Sequence, residues 1–134
     1  MDTIKLDTKP LEARRRELAI SKPTLAKRSG VSLATIHRIL LGDVHDVTLS
    51  RLGAVADALG MEIRYLEGAC RFSPARSVFD MQRDQAQEKA ERLVRLTQGT
   101  SALEGQAVSD ATIREAIEQT VATLLTGPKR RLWA

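Results

Sequence analysis

The sequence predicts a mainly all-α fold: a domain of four to five short helices over residues 1–60, a short strand or linker over 61–72, and a helical extension over 73–134. Three observations point there. Apolar residues recur at three- and four-residue spacing in several short stretches, most of them opened by Ser or Thr and closed by Gly, as in capped amphipathic helices. Strict apolar–polar alternation, the period of a half-buried strand, occurs once, at Met61, Ile63 and Tyr65. Aromatic residues are confined to Tyr65, Phe72, Phe79 and Trp133, so each half has a thin core and is expected to lean on a partner.

Taken in order, Leu25-Ala26 sit on the buried side of a short helix that Gly30 closes. The residue there must take the left-handed conformation, which glycine adopts without steric cost. Val31 plugs the corner, and Ser32 is placed to accept the first free N–H of the next helix. Ile36, Ile39 and Leu40 give that helix a buried stripe. A further helix has Thr48 as cap, Leu49, Leu52, Val55, Ala56 and Leu59 as core stripe, and Gly60 as stop. Met61, Ile63 and Tyr65 then alternate with Glu62, Arg64 and Leu66; with no ladder partner close in sequence, this strand is expected to pair with its copy in a second subunit, an extended linker being the alternative.

Beyond it, Ser73-Pro74 is read as a helix start, cap followed by proline. A long charge-rich helix runs from about Ser77 to Ala102 with Met81, Ala86, Ala90, Leu93, Val94 and Leu96 as apolar points, interrupted at Gly99 and ended by Gly105. Ser109-Asp110 opens a cleaner amphipathic helix carrying Ile113, Ala116, Ile117, Val121, Leu124 and Leu125, which Gly127-Pro128 stops. The tail, Lys129 to Trp133, reads as basic with an exposed tryptophan. Two helices and a tail enclose little core, so this half is expected to bind another protein.

The stretch from Ile20 to Gly42 has the layout of a helix-turn-helix that reads DNA. Ser32, Leu33, Ala34, Thr35, His37 and Arg38 fall on the side of its second helix opposite the apolar stripe, short or polar groups suited to base edges in a major groove. Between Lys9 and Arg38 the chain carries eight Lys or Arg (Lys9, Arg14, Arg15, Arg16, Lys22, Lys27, Arg28, Arg38) against Glu12 and Glu17 alone. That local surplus outweighs the net charge of +4 as an indicator, because nucleic-acid affinity comes mostly from neutralising phosphates. Arg15 and Lys22 are the expected phosphate contacts.

From about Lys9 to Met61 the chain closely resembles the Cro/repressor-type (xenobiotic-response-element) helix-turn-helix family. The resemblance rests on Arg15 near the end of a first helix, Ile20-Ser21, Leu25-Ala26, Gly30-Val31-Ser32, Thr35-Ile36, Arg38-Ile39 and Gly42. It implies a homodimer on a palindromic double-stranded DNA site. Two positions depart from the family pattern: Lys22 stands where a glutamine often grips the DNA backbone, and Leu33 where a polar base reader is common. Leucine can still touch a thymine methyl.

Enzyme readings find no support. His37 and His45 are the sole histidines, neither with a Cys, Asp or Glu at zinc-ligand spacing, and no phosphate-cradling glycine loop or Gly-x-Ser-x-Gly elbow occurs. No catalytic residue, metal or cofactor is expected. The single Cys70 excludes an internal disulfide and fits a reducing cytoplasm, where a DNA-bound bacterial regulator works. No apolar run approaches membrane-spanning length and no signal peptide opens the chain.

Thr100-Ser101-Ala102-Leu103-Glu104-Gly105 matches the (Ser/Thr)-x-x-x-Glu-(Gly/Asn) motif of antitoxins that silence Fic-type nucleotide transferases, and the loop, Asp110 and amphipathic helix that follow are similar to those antitoxins as well. The resemblance implies that Glu104 pairs with the toxin arginine that otherwise holds the ATP γ-phosphate, a competition a carboxylate is equipped to win. Thr100 lies one turn earlier, Gly105 ends the helix, and Ile113, Ile117, Val121 and Leu124 supply the docking face. The combined expectation is a DNA-binding antitoxin that represses its own type II toxin–antitoxin operon and neutralises a Fic-type AMP-transferase. A toxin of nucleotidyltransferase or kinase-like class, or a plain repressor with an oligomerising C-terminal part, are the alternatives.

Overall fold

The computed structural model describes residues 5–103 and 109–134, mostly helical, in two compact units, Met1–Val78 and Phe79–Ala134. The first unit holds β1 (Lys5–Leu6), α1 (Lys9–Leu18), α2 (Lys22–Ser29), α3 (Leu33–Leu41), α4 (Leu49–Ala58), β2 (Met61–Leu66) and β3 (Ala69–Pro74). Its core is aliphatic: Leu11, Leu18, Ile20, Leu25, Ile36, Ile39, Val55 and Leu59 have no exposed surface. Three of these helices, α2 to α4, begin at a side-chain cap, and α2 and α3 also end at a glycine. Ser21, Ser32 and Thr48 accept backbone N–H bonds at the starts of α2, α3 and α4, while Gly30 and Gly42 take positive φ at the ends of α2 and α3.

The strand at Met61 does find a partner close in sequence, contrary to the expectation that only a second subunit would provide one. β2 pairs antiparallel with β3 in the register Ile63↔Phe72 and Tyr65↔Cys70, and β1 adds to the far side of β3 in parallel. The sheet order is therefore β1-β3-β2, with α4 packed on β2. A two-residue turn, Glu67-Gly68, makes the hairpin. Both residues have positive φ (51° and 79°), the geometry whose twist matches that of the flanking strands. Glutamate is an uncommon occupant of the first turn position, so the turn was poorly marked. Ser73-Pro74 accordingly ends a strand and does not start a helix; Pro74 tolerates the place because it is a strand terminus.

Two long side chains of α1 tie this unit together. Arg14 is 6% exposed; its Nε donates to the Leu59 carbonyl at 3.0 Å and its Nη2 to the Arg76 carbonyl, joining α1 to the end of α4 and to the residues after β3. Arg15 forks onto Glu12, Nε to Oε2 at 2.8 Å and Nη2 to Oε1 at 2.7 Å, and donates from Nη1 to the Ile20 carbonyl at 2.9 Å. It thereby locks the turn from α1 into α2. The Arg15 hydrogen bonds, helped by Arg16, hold the Glu12 carboxyl at about 2, below its ordinary 4.5.

The second unit contains α5 (Val78–Leu103), α6 (Asp110–Thr126) and α7 (Lys129–Trp133). α5 runs through Gly99 without a break, since one glycine inside a long helix costs only about 1 kcal/mol. Ser109 caps α6, accepting the Thr112 N–H at 3.3 Å, and the helix stops before Gly127-Pro128. Trp133 is not exposed as its place in a basic tail suggests. It is 4% exposed and Leu132 fully buried, because α7 packs on α6 and is bonded to α5. Buried Gln85 donates to the Leu132 carbonyl at 3.0 Å, and Lys89 to the carbonyls of Arg131 and Ala134. No described helix is long and apolar enough to cross a membrane.

Two stability predictions follow from α1. Arg14→Ala removes the donor to the buried Leu59 carbonyl and to the part-buried Arg76 carbonyl and is expected to cost on the order of 1–3 kcal/mol in urea unfolding; a cost below about 0.5 kcal/mol would contradict its tying role. Glu12→Gln should cost about 1 kcal/mol at neutral pH. Because the folded-state pKa of Glu12 lies below the unfolded one, its contribution is complete above pH 4.5 and is lost as the pH falls toward about 2. The gap between wild type and Glu12→Gln should therefore close over that acid window, and a gap constant with pH would refute it.

Candidate DNA-binding interface

The interface is built from the turn outward. Ser21 Oγ accepts the Thr24 N–H at 3.2 Å and starts α2; the Gly30 N–H returns to the Ala26 carbonyl at 3.0 Å and ends it. At φ 72° Gly30 turns the chain sharply, and nothing lies within 4 Å of where a Cβ would stand, so the glycine serves the backbone angle and not a close approach. Val31 is 7% exposed beneath the corner. Ser32 Oγ accepts the Thr35 N–H at 3.2 Å and donates to Thr35 Oγ1 at 2.9 Å, so both polar side chains secure the first turn of α3.

Burial fixes the rotation of α3. Ile36 and Ile39 have no exposed surface, and Leu40 is half-buried. On the opposite face Leu33 is 41% exposed, Ser32, Ala34 and His37 are exposed, and Thr35 and Arg38 are half-buried. The structure thus brings Ser32, Leu33, Ala34, Thr35, His37 and Arg38 together along one side of one helix. Lys22, at the first position of α2, is half-buried.

The basic surplus is partitioned more sharply than a count suggests. Arg14 belongs to the interior of the fold, and the Arg15 guanidinium is engaged by Glu12 and the Ile20 carbonyl. Arg15 is accordingly a brace between α1 and α2, not an open cation beside α3. Lys9, Arg16, Lys27 and Arg28 are exposed. Arg38 faces two carboxylates from the loop after α3, Asp43 at 3.6 Å and Asp46 at 3.7 Å. His45 lies against the same two acids, 2.8 Å from Asp43 and 3.2 Å from Asp46. Sequence reading passed over this grouping, although an arginine near a helix end followed by Asp43 and Asp46 carried the signal. It passed over Leu41 too, which is 83% exposed at the end of α3.

In the second unit the suggested inhibitory segment is only partly visible: Thr100 lies within α5, whereas Glu104 and Gly105 fall outside the described residues. Of the suggested docking face, Ile113, Ile117 and Val121 are half-buried, and Ile113 lines a cleft of about 260 Å³ with Val94, Thr97, Gln98, Ala116 and Thr120. Leu124 is 9% exposed on a helix packed against α7, so it is part of this unit's own interior and not an open docking group.

No curated protein and no solved structure matches the chain. Residues 11–64, which run from α1 into β2, match the family model of the Cro/C1-type HTH DNA-binding domain, and α2, the Gly30 corner and α3 within that stretch have a helix-turn-helix arrangement.

Proposed function

We propose that the chain is a transcriptional repressor that reads a palindromic operator as a homodimer, with α3 in the major groove. The observation that carries this reading is the single outward face of α3, where Leu33, Ala34, His37 and Arg38 stand clear of a fully buried Ile36–Ile39 stripe. Lys22 at the start of α2 serves as a phosphate contact. The homodimer is supported by the sheet order, in which β2 lies at an edge and offers the backbone groups of its outer side to a second copy.

The same reading extends to an antitoxin that represses its own operon and neutralises a Fic-type enzyme through the C-terminal unit. Its support is the Thr100–Gly105 motif, which begins within the last turn of α5, and the apolar spacing of Ile113, Ile117 and Val121 along α6. Glu104 acts as the inhibitory carboxylate and the α6 residues contribute the docking area.

Fluorescence anisotropy with the chain's own upstream duplex and with random duplex, at about 0.15 M salt, tests the repressor reading. A preference of at least about a thousandfold is expected, and no preference overturns it. Arg38→Ala should cost about 1–3 kcal/mol on the specific site, while Lys22→Ala should weaken all sequences alike and reduce the salt slope by about 1. Co-expression with the cognate enzyme tests the extension. Glu104→Gly should release nucleotide-transferase toxicity while the complex still forms, because one charge contributes little beside a buried apolar face. A Glu104→Gly chain that protects cells as well as wild type would reject the Fic mechanism and leave DNA recognition untouched.

A further inference from the structure

Arg38 is held by a loop that the chain builds immediately after α3. Gly42, at φ 91°, reverses the backbone, and the Asp43 N–H returns to the Arg38 carbonyl at 2.9 Å. The carboxylate facing the guanidinium is thus tied to the backbone of the same arginine. Arg38 Nε lies 3.6 Å from Asp43 Oδ2 and its Nη2 3.7 Å from Asp46 Oδ2. His45 also bridges the two acids, Nδ1 at 2.8 Å from Asp43 Oδ1 and Nε2 at 3.2 Å from Asp46 Oδ2, the oxygen that Arg38 faces as well. The arginine separations are those of ion pairs longer than a closed hydrogen-bonded fork. The charge of Arg38 is therefore countered while its N–H donors are left over for another acceptor.

We propose that Asp43 and Asp46 set the sequence selectivity of the helix-turn-helix, holding Arg38 for a base edge and withholding it from phosphates. The proposal rests on α3 being the DNA-reading helix. A phosphate offers the guanidinium chiefly negative charge, which two carboxylates already supply, and those carboxylates repel the phosphate oxygens besides. A guanine edge offers two neutral acceptors, O6 and N7, spaced for the arginine fork. Countering the charge thus removes most of what Arg38 gains from random DNA and little of what it gains from the right base. The acids act on DNA through Arg38 and are positioning residues for it.

The test is affinity for the chain's own operator and for random duplex, measured on the full chain at several salt concentrations. Asp43 and Asp46 have side chains 52% and 69% exposed, so the double variant Asp43→Asn/Asp46→Asn keeps the fold. It should bind random duplex about tenfold more tightly, with a salt slope steeper by about 1, and its ratio of specific to random affinity should fall about tenfold. If both affinities rise by the same factor, the acids act only as distant charges and the proposal is overturned. The same Asn changes introduced into Arg38→Ala should leave the ratio where Arg38→Ala put it, because the residue they position is gone. A further fall in that background would also overturn it. Should Arg38→Ala alone leave the ratio at the wild-type value, the failure lies in the reading of α3 beneath the proposal.

Discussion

The rotational setting of α3 is the constraint on which the rest of the N-terminal unit depends. Ile36 and Ile39 are fully buried with Leu11, Leu18, Ile20, Leu25 and Leu59, and a helix so anchored has one outward face. Turning it by a single residue, 100° about its axis, would expose an isoleucine and bury His37 or Arg38, at about 1.5–3 kcal/mol for the lost apolar burial alone. The Gly30 corner and the Ser32 cap settle where the helix starts; the two isoleucines settle which way it faces. The outward face of α3 is therefore a by-product of core packing, and its exposed side chains contribute little to stability.

Charge is distributed by the same logic. The sequence places eight cations against two acids between Lys9 and Arg38, yet the fold spends Arg14 on carbonyls at the end of α4 and after β3 and Arg15 on the α1–α2 turn. Buried or forked guanidinium groups do such work better than lysine because several fixed donors reach several acceptors at once. The loop after α3 then adds Asp43 and Asp46, outside the basic stretch, against Arg38 on the outward side of α3. Fewer open cations lower the sequence-independent part of any affinity for nucleic acid.

Local signals made the helices legible. Ser21, Ser32, Thr48 and Ser109 cap helices that start within a residue of them, and Gly30, Gly42 and Gly127 mark their ends, because caps and stops are settled by the backbone of a few neighbouring residues. The hairpin was less legible. Its turn is Glu67-Gly68, and β3 is completed by β1, whose Leu6 pairs with Cys70 from far away in sequence. Trp133 illustrates the same limit: its burial depends on Gln85 and Lys89 holding α7 from another helix. The outward stripe of α3 was readable from its helical period, whereas the acids opposing Arg38 follow from a loop path that no periodicity encodes.

Backbone amide shift mapping by NMR, with an operator-length duplex titrated into the labelled full chain, tests the central claim most directly. The account predicts that the largest shifts fall on Ser32, Leu33, Ala34, His37 and Arg38, with Lys22 following and α4 quiet behind them. Shifts concentrated on the β2–β3 hairpin or on α6, with α3 unmoved at saturating duplex, would contradict it.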